Sequence, residues 1–252
     1  MKQYIKQLAL STGFVSLMLG LGACGDEYDF LTSVQPAEGA RVKFYHVASD
    51  APGVNIFVND KKFSGILTTP PAAAGSLTYF NSFPNVDYGS LPAGTAKIKV
   101  ETAAAPVLPV LAADLPVEDG KYYSVFAYGA SPTYGALVLN DKFDLADKSK
   151  AGVRLINLVA GATSPKYDLV VNNNVIASGI DFAASKADFL PIETIAYAAT
   201  ALTVQIRAAG TATVVASTTI QPYSGKFYSF IARGQVGGTG TKAIALSVST
   251  NK

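Results

Sequence analysis

From Ala40 to the end of the chain, short runs of alternating apolar and polar residues are separated by Gly, Pro, Asn and Asp, without any long helical period. Such runs predict half-buried strands joined by tight turns. Val54-Asn55-Ile56-Phe57-Val58 alternates on a period of two, and Asn59-Asp60, which tolerate positive φ, predict a hairpin into Lys61-Lys62-Phe63. Asn172-Asn173-Asn174 predicts the same later in the chain. In Leu91-Pro92-Ala93-Gly94-Thr95, Pro fixes φ and Gly is free to turn left-handed, ahead of an alternating strand ending at Val100. Strands recurring at intervals of roughly 8 to 12 residues predict an all-β sandwich architecture.

The pattern occurs twice. Val42-Lys43-Phe44-Tyr45-His46-Val47 answers to Val153-Arg154-Leu155-Ile156-Asn157-Leu158, and Val54 to Asp60 answers to Tyr167 to Asn173. Ser64-Gly65-Ile66 matches Ser178-Gly179-Ile180, and Ala96 to Val100 matches Leu202 to Ile206. The closest correspondence sets Gly120-Lys121-Tyr122-Tyr123-Ser124-Val125-Phe126-Ala127-Tyr128-Gly129 against Gly225-Lys226-Phe227-Tyr228-Ser229-Phe230-Ile231-Ala232-Arg233-Gly234. These matches keep one order, so the chain reads as a tandem duplication: repeat 1 over residues 40–150 and repeat 2 over 151–252. Each copy is about 100 residues, enough to bury one sandwich core. The charged segment from Asn140 to Lys150 lacks a strand pattern beyond Asn140 and reads as a linker, with the boundary near Lys150.

Ahead of the repeats, Lys2 and Lys6 precede an apolar stretch from Leu8 to Leu21, too short and too interrupted to span a bilayer and of the kind found in signal peptides. It ends in Leu21-Gly22-Ala23-Cys24, which resembles the lipobox of bacterial lipoproteins. Small residues suit such a site because the peptidase must draw an extended backbone close to its catalytic groups. The resemblance implies cleavage after residue 23 and a lipid-attachment role for Cys24, which would carry diacylglycerol and an N-acyl chain of the palmitate kind. Residues 24–39 form an acidic tether. An aspartate directly after the cysteine tends to hold lipoproteins at the inner membrane, and here that position is Gly25. Outer-membrane sorting is the expectation, and Asp26, Glu27 and Asp29 resemble the acidic signal that exports some lipoproteins to the cell surface. Cys24 is the chain's one cysteine, so the fold has no disulfide and stands on its core.

Charge narrows the partners. The chain carries 20 basic and 18 acidic residues; loss of Lys2 and Lys6 with the signal would leave 18 of each. A balanced surface offers no electrostatic footprint for nucleic acid. The expected partners are the membrane, through the lipid, and an extracellular glycan or protein.

The motifs Val42, His46 and Ser49-Asp50-Ala51-Pro52, then Val54 to Asn59, Leu91 to Thr95 and Gly120 to Gly129, resemble the bacterial surface-protein family known as domain of unknown function 4397. The resemblance implies secreted or lipid-anchored sandwich units, often in tandem, of Ig-like or transthyretin-like form. It supplies no catalytic residues. The second copy departs from the pattern, with Asn157 in place of His46 and Gly161 in place of Asp50.

His46, Ser49 and Asp50 invite comparison with a nucleophilic triad, but Ser49-Asp50-Ala51-Pro52-Gly53 is turn chemistry, in which Ser and Asp bond nearby amides. No catalytic residue is assigned, and no enzyme activity is expected. Asp141, Asp144 and Asp147 recur every third residue with Lys142, Lys148 and Lys150 interleaved, a spacing that departs from the alternating ligands of calcium loops. They read as a solvated linker. One His and one lipidated Cys make no zinc site, so neither a metal nor a cofactor is expected beyond the lipid. Gly234 to Gly240 reads as a flexible hairpin connection rather than a phosphate cradle. The aromatics Tyr79, Phe80, Phe83, Tyr88, Tyr128 and Tyr134 are the candidate recognition residues, since loop tyrosines suit stacking on sugars or peptides.

Replacing Cys24 with Ser should move the protein from the membrane fraction to the soluble fraction. Retention of Cys24→Ser in washed membranes would rule out a lipid anchor at this residue.

Overall fold

A computed structural model describes residues 38–64, 75–161, 163, 165–184, 188–196 and 199–252. The signal segment, Cys24 and all but the last two residues of the tether lie outside the described residues. Glu38 to Lys252 form one compact unit.

Its first repeat contains β1 (Ala40–Ala48), β2 (Val54–Val58), β3 (Lys61–Lys62), β4 (Ser82–Phe83), β5 (Gly89–Leu91), β6 (Gly94–Thr102), β7 (Pro109–Val117), β8 (Tyr122–Ala130) and β9 (Thr133–Asn140). The second contains β10 (Ala151–Asn157), β11 (Tyr167–Val171), β12 (Asn174–Ile180), β13 (Leu190–Ile192), β14 (Leu202–Ala208), β15 (Val214–Ile220), β16 (Phe227–Arg233) and β17 (Ala245–Thr250). A short 3-10 turn at Gly240–Lys242 sits in the β16–β17 connection. The fold is all-β, as the alternating pattern predicts.

Among the described residues the strands form four sheets, two per repeat. In repeat 1 the orders are β4-β1-β8-β9, with β5 also on β1, and β3-β2-β6-β7; in repeat 2 they are β13-β10-β16-β17 and β12-β11-β14-β15. The first strand of each repeat runs parallel to a late one, Val42 opposite Tyr123 and Val153 opposite Tyr228. This order differs from the immunoglobulin arrangement, which places the first strand with the second, fifth and fourth.

The hairpins follow from local chemistry. Asn59 and Asp60 have φ of 48° and 63°, Asn172 and Asn173 have 46° and 66°, and each pair closes a two-residue loop. Both φ angles are positive, as a turn matching the strand twist requires. Gly129 and Gly234 end the best-matched segments with φ of 102° and 106°, and a Cβ would lie 2.3 Å from Thr133 O of β9 at the first and 2.4 Å from Ala243 O, ahead of β17, at the second. Only glycine fits there.

The outer sheet of repeat 1 buries one face, whereas in repeat 2 the outer strand β11 is buried throughout. In β6, Ala96, Ile98 and Val100 point inward while Lys97, Lys99 and Glu101 point outward, with Lys99 and Glu101 paired at 3.2 Å. The inner sheets bury both faces. Val42, Phe44, Tyr123 and Val125 enter the core of repeat 1, and Val153, Leu155, Tyr228 and Phe230 enter that of repeat 2. Their opposite faces form a third cluster in which Tyr45, Val47, Phe126 and Leu139 of repeat 1 meet Ile156, Leu158 and Ile231 of repeat 2. The strands β1 and β10 are therefore almost continuously buried, as expected of a sheet covered on both sides.

That double burial traps charge. Arg154 is 1% exposed, and its Nη2 lies 2.6 Å from Oδ1 of Asp141, also buried. The contact lies off the N–H axis and acts as an ion pair rather than a directed hydrogen bond. The other carboxylate oxygen accepts from Tyr88 OH and Ser124 Oγ, both at 2.6 Å. Arg154 Nε donates to Ser229 Oγ at 2.8 Å, Ser229 Oγ to Asn251 Oδ1 at 2.7 Å, and Asn251 Nδ2 to Tyr88 OH at 2.8 Å. The ring of bonds crosses between repeats twice. The Arg154 guanidinium also stacks on Phe189, 4.4 Å from its centroid.

Asp141 is thus not part of a solvated linker. The segment after Asn140 is tied down because Asp141 N bonds Tyr122 O, while Phe143 and Leu145 join Phe189 and Phe227 in a small apolar cluster. Asp144 and Asp147 do face solvent, held by Lys148 and Ser149 respectively.

Removing Arg154 alone strands a buried carboxylate, at a cost of about 3–5 kcal/mol. Arg154→Met should show that loss in urea unfolding, and adding Asp141→Asn should recover about 2 kcal/mol or more of it. A loss in the double variant equal to the sum of the losses in Arg154→Met and Asp141→Asn alone would show that the two residues are not coupled.

Candidate functional site

The sequence candidates separate in space, each with its own partner. His46 is wholly buried on β1, and its Nε2 lies 3.0 Å from the Pro52 carbonyl. Because a carbonyl only accepts, Nε2 carries the proton and Nδ1 is bare, with no partner among the described residues. Desolvation holds the imidazole below its ordinary pKa, against the opposing pull of the Pro52 and Ala51 backbone bonds. Ser49 Oγ points to Gly129 O at 3.4 Å, while Asp50 accepts from Ser131 N at 2.9 Å and Tyr134 OH at 3.0 Å. Asp50 therefore binds not a nearby amide, as its turn-like sequence predicts, but the distant β8–β9 turn. Nothing aligns the three side chains as base, nucleophile and orienting acid.

The second copy explains the first. Asn157, in the place of His46, donates to Pro165 O at 2.8 Å and to Ile180 O at 3.1 Å. Pro165 and Pro52 both lie in the connection from the first strand of a repeat to the second. The two buried polar side chains do the same thing, donating to a proline carbonyl that no neighbouring strand satisfies. At Gly161, which replaces Asp50, an added Cβ would meet Val236 at 2.9 Å.

The candidate aromatics form no single platform. Tyr88 is buried in the inter-repeat ring, where burial first and Asp141 second push its phenol well above the ordinary range; it is not a surface recognition residue. Phe83 packs on Phe63 at 5.6 Å against the core of repeat 1. Tyr134 is engaged by Asp50, and Tyr128 packs edge-on to Phe182 at 5.3 Å. Tyr79 and Phe80 stay together under Arg233 of repeat 2, whose guanidinium lies 4.0 Å from the Phe80 centroid. Among the described residues no three His, Cys, Asp or Glu side chains converge as metal ligands.

Phe80 leads to a feature that sequence reasoning missed. A cleft of about 430 Å³ opens along the seam between the repeats. Lys43 and Tyr45 of β1 and the loop from Phe80 to Val86 line one side; Val248 and Ser249 of β17 line the other. Tyr45 OH meets Ser249 Oγ at 2.9 Å, and burial pushes this phenol up to about 12. Lys43 holds the repeat 1 position that Arg154 holds in repeat 2, and it is equally buried at 1% exposure. Unlike Arg154, it has no carboxylate within ion-pair distance among the described residues. The hydrogen bond it makes is a long one, 3.4 Å to Val86 O. The ring faces of Tyr45 and Tyr88 lie 5.8 and 5.9 Å away. Desolvation lowers its pKa, opposed by the more distant Asp87 and Asp141. The sequence signal was present: a lysine inside an otherwise apolar strand run, at a position where the second copy also has a cation.

Compared with known families, residues 40–163 match the family described as "Domain of unknown function (DUF4397)". The match covers the whole of repeat 1 and continues through β10. A search of curated proteins found no match.

Because His46 is neutral in the fold, the unfolded chain binds the extra proton below about pH 6.5. Its contribution to stability is intact above that value and is lost as pH falls towards the depressed folded pKa. His46→Asn, the solution already used at Asn157, should flatten this slope: between pH 7.5 and 5 the variant should lose less thermal stability than the parent, whatever its offset at pH 7.5. Parallel curves of melting temperature against pH would refute the assignment.

Proposed function

We propose that this chain is a non-enzymatic, lipid-anchored protein of the bacterial outer membrane. Its two sandwiches act as one body displayed from the envelope, in surface structure, adhesion or ligand binding. The chief support is Leu21-Gly22-Ala23-Cys24 standing ahead of a short acidic tether and a packed double sandwich. The domain family adds no catalytic residue to transfer, and His46, Ser49 and Asp50 are each occupied in holding loops. Loops at the ends of a rigid scaffold are where recognition residues concentrate, and the inter-repeat cleft gives such recognition a defined place. The buried ring is consistent with a body that keeps its two halves in fixed register.

The same anchor could instead hold the body on the periplasmic side, as an accessory or scaffold subunit of an envelope or uptake complex. Protease treatment of intact cells distinguishes the two. With a tag after Lys252, surface display predicts digestion without lysis; protection until lysis would replace it with the periplasm-facing scaffold.

A further inference from the structure

The seam cleft has an unusual floor. A buried ammonium is costly unless it is paired and hydrogen-bonded, yet Lys43 has one long hydrogen bond and a cavity in front of it. The equivalent cation in repeat 2, Arg154, is paired with Asp141, bonded to Ser229 and stacked on Phe189. Phe189 takes in repeat 2 the place that Tyr88 takes in repeat 1, each standing just before the short strand that pairs with the first strand of its repeat. Lys43 thus keeps the aromatic neighbour but lacks the carboxylate, and among the described residues it is the one of the two equivalent cations without an acidic partner.

The wall beside it is strained. Phe80 has φ of 68°, a left-handed conformation that bulky residues rarely adopt, and it is held there by Phe80 N to His46 O at 2.7 Å and by the stacked Arg233. Strain of this kind persists where the surroundings over-determine it, and it gathers at ligand clamps. Val86 adds apolar surface at the mouth, 81% exposed. Among the described residues no acidic side chain lines the cleft. Its volume falls within the range of small-molecule sites, about 300–1,000 Å³.

We propose that the inter-repeat cleft binds a small organic carboxylate, with the carboxylate on Lys43 and the apolar or planar body of the ligand against Phe80, Val86 and Ile231. Tyr45 and Ser249, already bonded to each other, supply a hydroxyl pair at the floor that can turn towards the second carboxylate oxygen. The anion completes for Lys43 what Asp141 completes for Arg154. This deepens the ligand-binding part of the function proposed above, on which it rests, and is independent of which side of the membrane the protein faces.

The test uses the full-length chain purified in a non-ionic detergent, with benzoate, glucuronate and the neutral isostere benzamide as probes, followed by saturation-transfer NMR and thermal shift. Benzoate should bind and raise the melting temperature while benzamide does neither; glucuronate in place of benzoate would assign the site to sugar acids within the same carboxylate class. Lys43→Met should weaken binding of the acid about ten- to a hundredfold, the worth of a hydrogen bond to a charged group, while raising the melting temperature of the free protein by removing a buried charge. Val86→Glu, a change at an exposed position whose backbone carbonyl alone contacts Lys43, should place an internal carboxylate at the mouth and block the probes without unfolding the chain. Equal binding of benzoate and benzamide, binding of the acid undiminished in both variants, or no binding of either acid would overturn the proposal. None of these outcomes bears on protease accessibility in cells, so the site and the location fail separately.

Discussion

The structure depends on burying both faces of two sheets. Once β1, β8, β10 and β16 are covered on each side, any charge on their seam-facing positions has left water and must find a partner within the protein. Arg154 finds Asp141, Tyr88 and Ser124 bond the second carboxylate oxygen, Ser229 bonds Arg154 Nε, and Asn251 closes the ring. An arrangement of this kind adds less to stability than an apolar seam of the same volume could, because desolvation offsets most of the Coulombic attraction. What it imposes is register: the ring closes only when the two repeats meet in one relative position.

Duplication supplied the parts in pairs, and divergence made the pairs unequal. Lys43 corresponds to Arg154, Ser124 to Ser229, Asp141 to Asn251 and Tyr88 to Phe189, as the matching strand registers show. Two identical copies would have brought two cations and two carboxylates, or two amides, to the seam. Instead one carboxylate serves one guanidinium, an amide fills the opposite corner, and Lys43 is left facing the cleft. His46 and Asn157 diverged without changing what they do, since both donate to a proline carbonyl. Equivalence of position therefore does not imply equivalence of role, and the bonds each side chain makes decide between them.

Much of the fold was legible in the chain. Alternation marked outer strands such as β2 and β6 because they bury one face, and Asn-Asp and Asn-Asn marked hairpins because these residues accept positive φ. The duplication was legible because its matches keep one order. The linker reading of Asn140 to Lys150 failed at Asp141 because an aspartate among lysines and two further aspartates resembles a solvated residue until its buried partner, Arg154, is brought beside it. Tyr88 misleads in the same way: an aromatic in a long loop looks available for recognition, and only the fold buries it, against Tyr122 and Phe143 of its own repeat and Asn251 of the second. The cleft was not legible at all, since its walls come from β1, a loop and β17, far apart in sequence.

By itself, the sequence determined that the chain is all-β, that it is built twice from one unit, where the hairpins turn, and that a lipobox-like segment precedes the repeats. These are properties of local periodicity, of backbone conformational preference and of internal similarity, and neighbouring residues carry them. Tertiary structure alone decided that the two inner sheets share a seam, that Asp141 belongs to Arg154, and that Lys43 faces a cavity. Those follow from which surfaces exclude water together, and water exclusion is a property of the packed body that no single stretch of chain contains.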